Sequence, residues 1–231
     1  MKHFFLISIF LGHLAFSQGA DEILEAHFKS YGQSTWLDVN TLSIDGRSID
    51  EHFAGAPMQL IFKAPDKVKI IGRYKGKLYA EAFDGQYAWI KAPWKPSYEA
   101  QLMNAEEELV MRNVMTIGSP LYSDRDHLKF EGLKDFEGEL YLVFTMNEGQ
   151  YLKTYYLDRD EYKLHFEEIS TRFGSPVRVL KVFEKYKKYG DMLMPTAVIF
   201  EGLTVRKEYT FDEVLMGIGI KSGIFDMPDS Q

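Results

Sequence analysis

Between Met58 and Phe211 apolar residues recur at every second position in run after run, with short turn sequences between the runs. A period of two sends successive side chains to opposite faces of a strand, so these runs build a sheet with one dry and one wetter face. Met58, Leu60 and Phe62 alternate with Gln59, Ile61 and Lys63, and Val68 and Ile70 continue the pattern. Lys75-Gly76 marks a turn, Lys77 to Phe83 runs back, and Asp84-Gly85 marks a hairpin before Tyr87 and Trp89. An Asp-Gly pair in this setting calls for positive φ at both turn positions. Pro93 and Pro96 end the sheet locally.

Strands resume near Leu128 and continue as Leu140 to Met146, Tyr151 to Leu157, Tyr162 to Ile169, Val177 to Tyr189, Thr196 to Gly202 and Val205 to Phe211. With Leu37, Val39 and Thr41 read as the first strand, about eleven or twelve strands form one antiparallel meander. The 14 Tyr and 17 Phe suit strands better than helices.

Two segments follow helical spacing instead. Ile23, Leu24, His27, Phe28 and Tyr31 recur on one helix face, with Asp21 placed to cap its start and Gly32 to end it. Asn104-Ala105-Glu106-Glu107 reads as a capping box, and Val110, Met111, Val114, Met115 and Ile117 form a wide apolar stripe before Gly118. The spacing predicts a helix over 104–117.

Lys2, the apolar run Phe4 to Leu11 and the small residues Ala15 and Ser17 before Gln18 have the order of an export signal. The apolar run falls short of the roughly 18–20 residues needed to span a bilayer. Residues 1–17 are therefore expected to be removed, leaving 18–231 as a single domain. No cysteine is present, which excludes disulfides, thiol nucleophiles and anchoring through an acylated cysteine. The expectation is a soluble, unlipidated protein of the periplasm. Its formal charge of −7 becomes more negative once Lys2 is lost, which disfavours nucleic acid as a partner.

Lys63-Ala64-Pro65-Asp66-Lys67-Val68, Phe83-Asp84-Gly85, Tyr87-Ala88-Trp89, Pro93 and the closing Phe225-Asp226-Met227-Pro228 together resemble the outer-membrane lipoprotein-sorting family, of LolA/LolB-like fold. The order of helix, five strands, helical insertion and second set of strands agrees with it. The resemblance implies a mainly β fold, an incomplete antiparallel barrel with a helical lid, and an apolar cavity for lipid or lipoprotein acyl chains. It implies that Met58, Leu60, Phe62, Val68, Ile70, Trp89, Val110, Met111, Val114, Met115, Leu142 and Phe144 line that cavity. Methionines suit a surface that repacks around flexible chains. Membrane-bound donor or acceptor proteins are the implied partners of a monomer that needs no cofactor. One departure stands out: the family's arginine before the proline, which contacts the lid, is Ala64 here, and Lys63 points to the opposite face.

Alternating aromatics and a Met-rich stripe are also what plain core looks like. Asp124-Arg125-Asp126 and Asp158-Arg159-Asp160-Glu161 lack the glycine and closing glutamate of a calcium loop and read as turns. His27, His52, His127 and His165 lack zinc-helix spacing, and no nucleophile elbow, Walker loop or dinucleotide fingerprint occurs. An envelope-stress sensor of the same fold is one alternative. The other is an enzyme built from polar groups brought together by folding, whose pocket would be polar where a carrier's is apolar.

Overall fold

The alternating runs pair into one antiparallel sheet of thirteen strands. A computed structural model describes residues 7–228 except 53 and 175, with side chains from Gly19 onward. Its first half comprises β1 (Thr41–Ile49), β2 (Ala54–Lys63), β3 (Lys67–Tyr74), β4 (Lys77–Phe83), β5 (Ala88–Lys91) and β6 (Gln101–Leu102). Its second half comprises β7 (Lys129–Phe136), β8 (Glu139–Glu148), β9 (Tyr151–Leu157), β10 (Leu164–Thr171), β11 (Arg178–Tyr189), β12 (Met192–Gly202) and β13 (Arg206–Met216). The first six strands step outward from β1, the chain crosses to the far edge, and the next seven step back until β13 pairs with β1. β6 and β7 remain as the two edges, so the barrel is incomplete, as expected.

Cross-strand register shows which side chains share a face. Ile44, Leu60, Ile70, Glu81 and Ile90 are successive partners across β1 to β5. Lys207, Phe200, Lys181, Glu167, Tyr155 and Phe144 are successive partners from β13 to β8. Three helices cover this face: α1 (Ile7–Tyr31), α2 (Gln33–Trp36) and, on the crossing segment, α3 (Ala105–Asn113).

The structure revises several boundaries. The helix expected from Asp21 runs unbroken from Ile7, since no proline interrupts it, so Asp21 is no cap. Residues 1–6 of the expected export signal lie outside the described residues. Leu37 and Val39 are not strand: Gly32, at φ +64, starts the short α2, and a side chain there would strike the Asp191 carbonyl 2.1 Å away. The hairpin at Asp84 is wider than two residues, because the Asp84 carboxylate accepts from the backbone N–H of Gln86 and Tyr87. The count exceeds the expected twelve through β6, two residues long.

On the other face, residues 218–228 form a strap. Ile218, Ile220 and Ile224 offer their carbonyls to the Thr41 hydroxyl, Lys63 Nζ and Lys69 Nζ at 2.7, 2.9 and 2.6 Å. Trp89 donates its indole N–H to the Phe225 carbonyl at 2.8 Å, and the Phe225 side chain is fully buried.

The lidded concave face as candidate functional site

Glu81 on β4 and Lys207 on β13 are four strand steps apart, roughly 19 Å in a flat sheet. Their side chains nevertheless meet, with Nζ 2.6 Å from Oε2. The sheet therefore curls toward the face they share, which makes that face the inside of a bowl. Burial works to lower the Lys207 pKa, but the adjacent Glu81 carboxylate outweighs it and raises the value overall.

The lid is built on α3. Asn104 accepts from the N–H of Glu106 and Glu107, and Glu107 reaches back to the Asn104 N–H, completing the capping box expected from sequence. Leu109, Val110 and Met111 are buried against the bowl. The helix stops at Asn113, short of the expected 117, so Val114 and Met115 pack from the segment that follows. The cause lies in the sheet, where the Lys181 ammonium donates to the Asn113 carbonyl at 2.6 Å and caps the helix end. β-branched Val114, Thr116 and Ile117 do not favour continuation.

The opposite end of the lid is tied as well. The Glu106 carboxylate accepts from the N–H of Leu203 at 3.0 Å, the N–H of Thr204 at 2.8 Å and the Thr204 hydroxyl. Burial pushes its pKa up, but these hydrogen bonds prevail and lower it. Both ends of α3 are thus held by polar contacts to the second half of the sheet, one to the β12–β13 turn and one to β11.

Behind the lid, His27 of α1 sits fully buried between two partners. Its Nδ1 lies 2.6 Å from the Tyr162 carbonyl and its Nε2 lies 2.6 Å from the Ser119 hydroxyl. A carbonyl only accepts, so Nδ1 carries the proton and Ser119 donates to Nε2. Burial lowers the His27 pKa from 6.5 to about 4.

Eleven of the twelve expected cavity residues gather here. Met58, Leu60, Phe62, Val68 and Ile70 line the bowl floor on β2 and β3, Phe144 lies on β8, and Leu142 packs half-buried at the rim. Trp89 does not belong with them. It pairs with Ala82, one residue out of phase with Ile90, so it points to the outer face and anchors the strap. The residues that sequence reasoning passed over are charged ones on the dry phase of a strand. Glu81 lies between Tyr79 and Phe83, Lys181 precedes Phe183, and Lys207 precedes Tyr209 at the same spacing.

The bowl is filled by its own side chains. The space beneath the segment that follows α3, between Trp36, Met115, Lys181, Leu193, Val198 and Phe211, measures about 20 Å³, room for about one water. Wider grooves open at both lid ends. One of about 650 Å³ is lined by His52, Glu81, Trp94, Glu107 and Lys207, and one of about 300 Å³ by Ala64, Pro65, Asn113, Asp124, Lys153 and Glu167. Ala64 lines the same groove as Asn113 at the end of α3 and offers no side-chain donor there, while Lys63 bonds to the strap.

Among the described residues no cluster of three or more His, Asp or Glu side chains is placed to hold a metal, and no helix is long and apolar enough to cross a membrane. The Asp158 carboxylate accepts from the N–H of Asp160, Glu161 and Lys163 and so acts as a turn cap.

The chain matches no family model and no curated protein. Solved structures do match. A LolA superfamily protein of Nitrosomonas europaea superposes with a TM-score of 0.57 at 13% identity, covering 90% of this chain and 97% of its own. An outer membrane lipoprotein-sorting protein domain of Vibrio parahaemolyticus gives 0.52 at 13% identity, covering 83% and 90%. A DUF1329 family protein of Desulfovibrio piger gives 0.54 at 11% identity, covering 88% and 97%. The open sheet curled beneath a short helical lid is the LolA-like fold, and this chain has it.

Proposed function

We propose that the protein is an exported periplasmic carrier that holds lipid or lipoprotein acyl chains between the curled sheet and α3. The observation that carries this reading is the lid: an apolar underside pressed on an apolar bowl, held at its two ends by a few polar contacts. Apolar burial is non-directional, so an acyl chain can replace the lid's side chains against the same floor. The polar ties set how readily the exchange occurs. Residues 1–17 serve as the export signal, and membrane-bound proteins supply or accept the cargo. A structural neighbour named for lipoprotein sorting favours binding over catalysis.

Mass spectrometry of the natively purified protein, with titration of a fluorescent fatty acid, tests the reading. Co-purifying acylated molecules and saturable probe uptake are expected. Absence of both would reject it.

A further inference from the structure

Lys181 differs from Lys207 and Lys153, the lysines that share its face of the sheet. Those two have carboxylate partners at 2.6 and 2.7 Å, whereas Lys181 donates to the lid itself, at the Asn113 carbonyl. Lys181 Nζ stands 4.5 Å from the Phe183 ring centre and 5.5 Å from that of Phe200. The charged groups that face it are Glu167, its cross-strand neighbour on β10, which attracts it, and Lys153 on β9, which repels it. Burial is the largest influence on the ammonium and lowers its pKa to about 8.

The space beside Lys181, beneath the Val114–Pro120 segment, has room for about one water, so an acyl chain reaches Lys181 only if the end of α3 and the segment that follows it move. That movement takes the Asn113 carbonyl away from Lys181 and leaves its ammonium beside the Phe183 and Phe200 rings with the Glu167 carboxylate as its nearest opposite charge, a state that a new hydrogen-bond acceptor would relieve. The groove of about 300 Å³ at this end of the lid, reaching Asn113, Lys153 and Glu167, gives such an acceptor a way in.

We propose that Lys181 exchanges the lid carbonyl for an acceptor on the cargo, so that the protein selects amphiphiles bearing a carboxylate or acyl carbonyl at the head of the chain. This rests on the carrier reading above. It assigns Lys181 two successive partners, the lid when the bowl is closed and the cargo head when it is filled.

The test compares palmitate, monopalmitoylglycerol and hexadecyltrimethylammonium, each below its critical micelle concentration, on the full chain. The wild-type protein is expected to bind at least one of the two acceptor-bearing ligands about tenfold more tightly than the ammonium, the size of a hydrogen bond to a charged group. The net negative charge of the protein works against this order. Palmitate against monopalmitoylglycerol separates a carboxylate from an ester carbonyl. Lys181→Met is expected to abolish the preference, and Lys181→Arg, which keeps a donor, to retain it.

Equal wild-type affinities, or an undiminished preference in Lys181→Met, would overturn the proposal while leaving the carrier reading in place. Failure of the wild-type protein to bind any of the three would remove the carrier reading and this inference with it. Hydrogen exchange at the α3 amides gives a readout that needs no ligand. Faster exchange in Lys181→Met is expected, and unchanged exchange would overturn the first half of the assignment.

Discussion

Lys207 on β13 and Glu81 on β4 close the bowl from opposite walls, Nζ to Oε2 at 2.6 Å, although neither belongs to a strand adjacent to the other's. A largely buried pair of this kind is costly to break from one side, because the surviving charge keeps its burial and loses its partner. Glu81→Gln or Lys207→Met is therefore expected to cost about 3–5 kcal/mol of unfolding free energy. The double substitution Glu81→Leu with Lys207→Met is expected to recover most of that loss. Urea unfolding of the four proteins checks this, and a double variant as unstable as the worse single one would show that the pair is needed for the curl itself.

His27 makes stability depend on pH. Its folded pKa, about 4, lies below the ordinary value of 6.5, so the unfolded chain takes up a proton first as the pH falls. The sign follows: the contribution is fully present above about pH 6.5, declines between pH 6.5 and 4, and levels off below. Its size is on the order of 3 kcal/mol. His27→Gln is expected to flatten the stability profile within that window, and a wild-type profile of equal slope there would show that His27 titrates freely.

The fold was readable because alternation and turn residues are local signals. β8 to β13 fall within a few residues of the runs seen in sequence, and the capping box at Asn104 forms as written. What escaped depends on contacts between distant segments. The end of α3 is set by Lys181, 68 positions away along the chain, and no local pattern at Val114 records it. Trp89 was misplaced because β5 is only four residues long and gives alternation too little length to fix its phase. The charges inside the bowl were visible as Lys and Glu in phase with Tyr and Phe, but their partners were not.

The tie at the lid's first turn yields a separate prediction. Glu106 accepts from two backbone N–H groups and a hydroxyl at the β12–β13 turn, and Gly202 approaches its carboxylate so closely that an added Cβ would lie 3.3 Å from it. Glu106→Ala leaves those N–H groups without the carboxylate and is expected to destabilise the closed lid by about 1–3 kcal/mol. Amide exchange in α3 should accelerate accordingly, with little change in β8 and β9. Uniform acceleration across the chain would mean that Glu106 supports the whole fold and not the lid alone.

The last prediction separates the two faces of the sheet through Phe62 and Trp89. Phe62 lies on the bowl floor beneath the lid, in phase with Leu60 and Met58. Trp89 is 1% exposed, yet its contacts are the Lys69 ammonium, 5.2 Å from its ring, and the Phe225 carbonyl. If the bowl binds acyl chains, Phe62→Ser removes apolar contact area at about 25 cal/mol per Å² and weakens uptake of a fluorescent fatty acid. Trp89→Phe keeps most of the bulk but deletes the N–H that holds the strap, so uptake should stay near the wild-type level while the 218–228 segment becomes easier to cleave with protease. Equal loss of uptake in both variants, each folded by circular dichroism, would mean that the strap and the bowl act as one unit, and the division of the sheet into a binding face and a strapped face would fail.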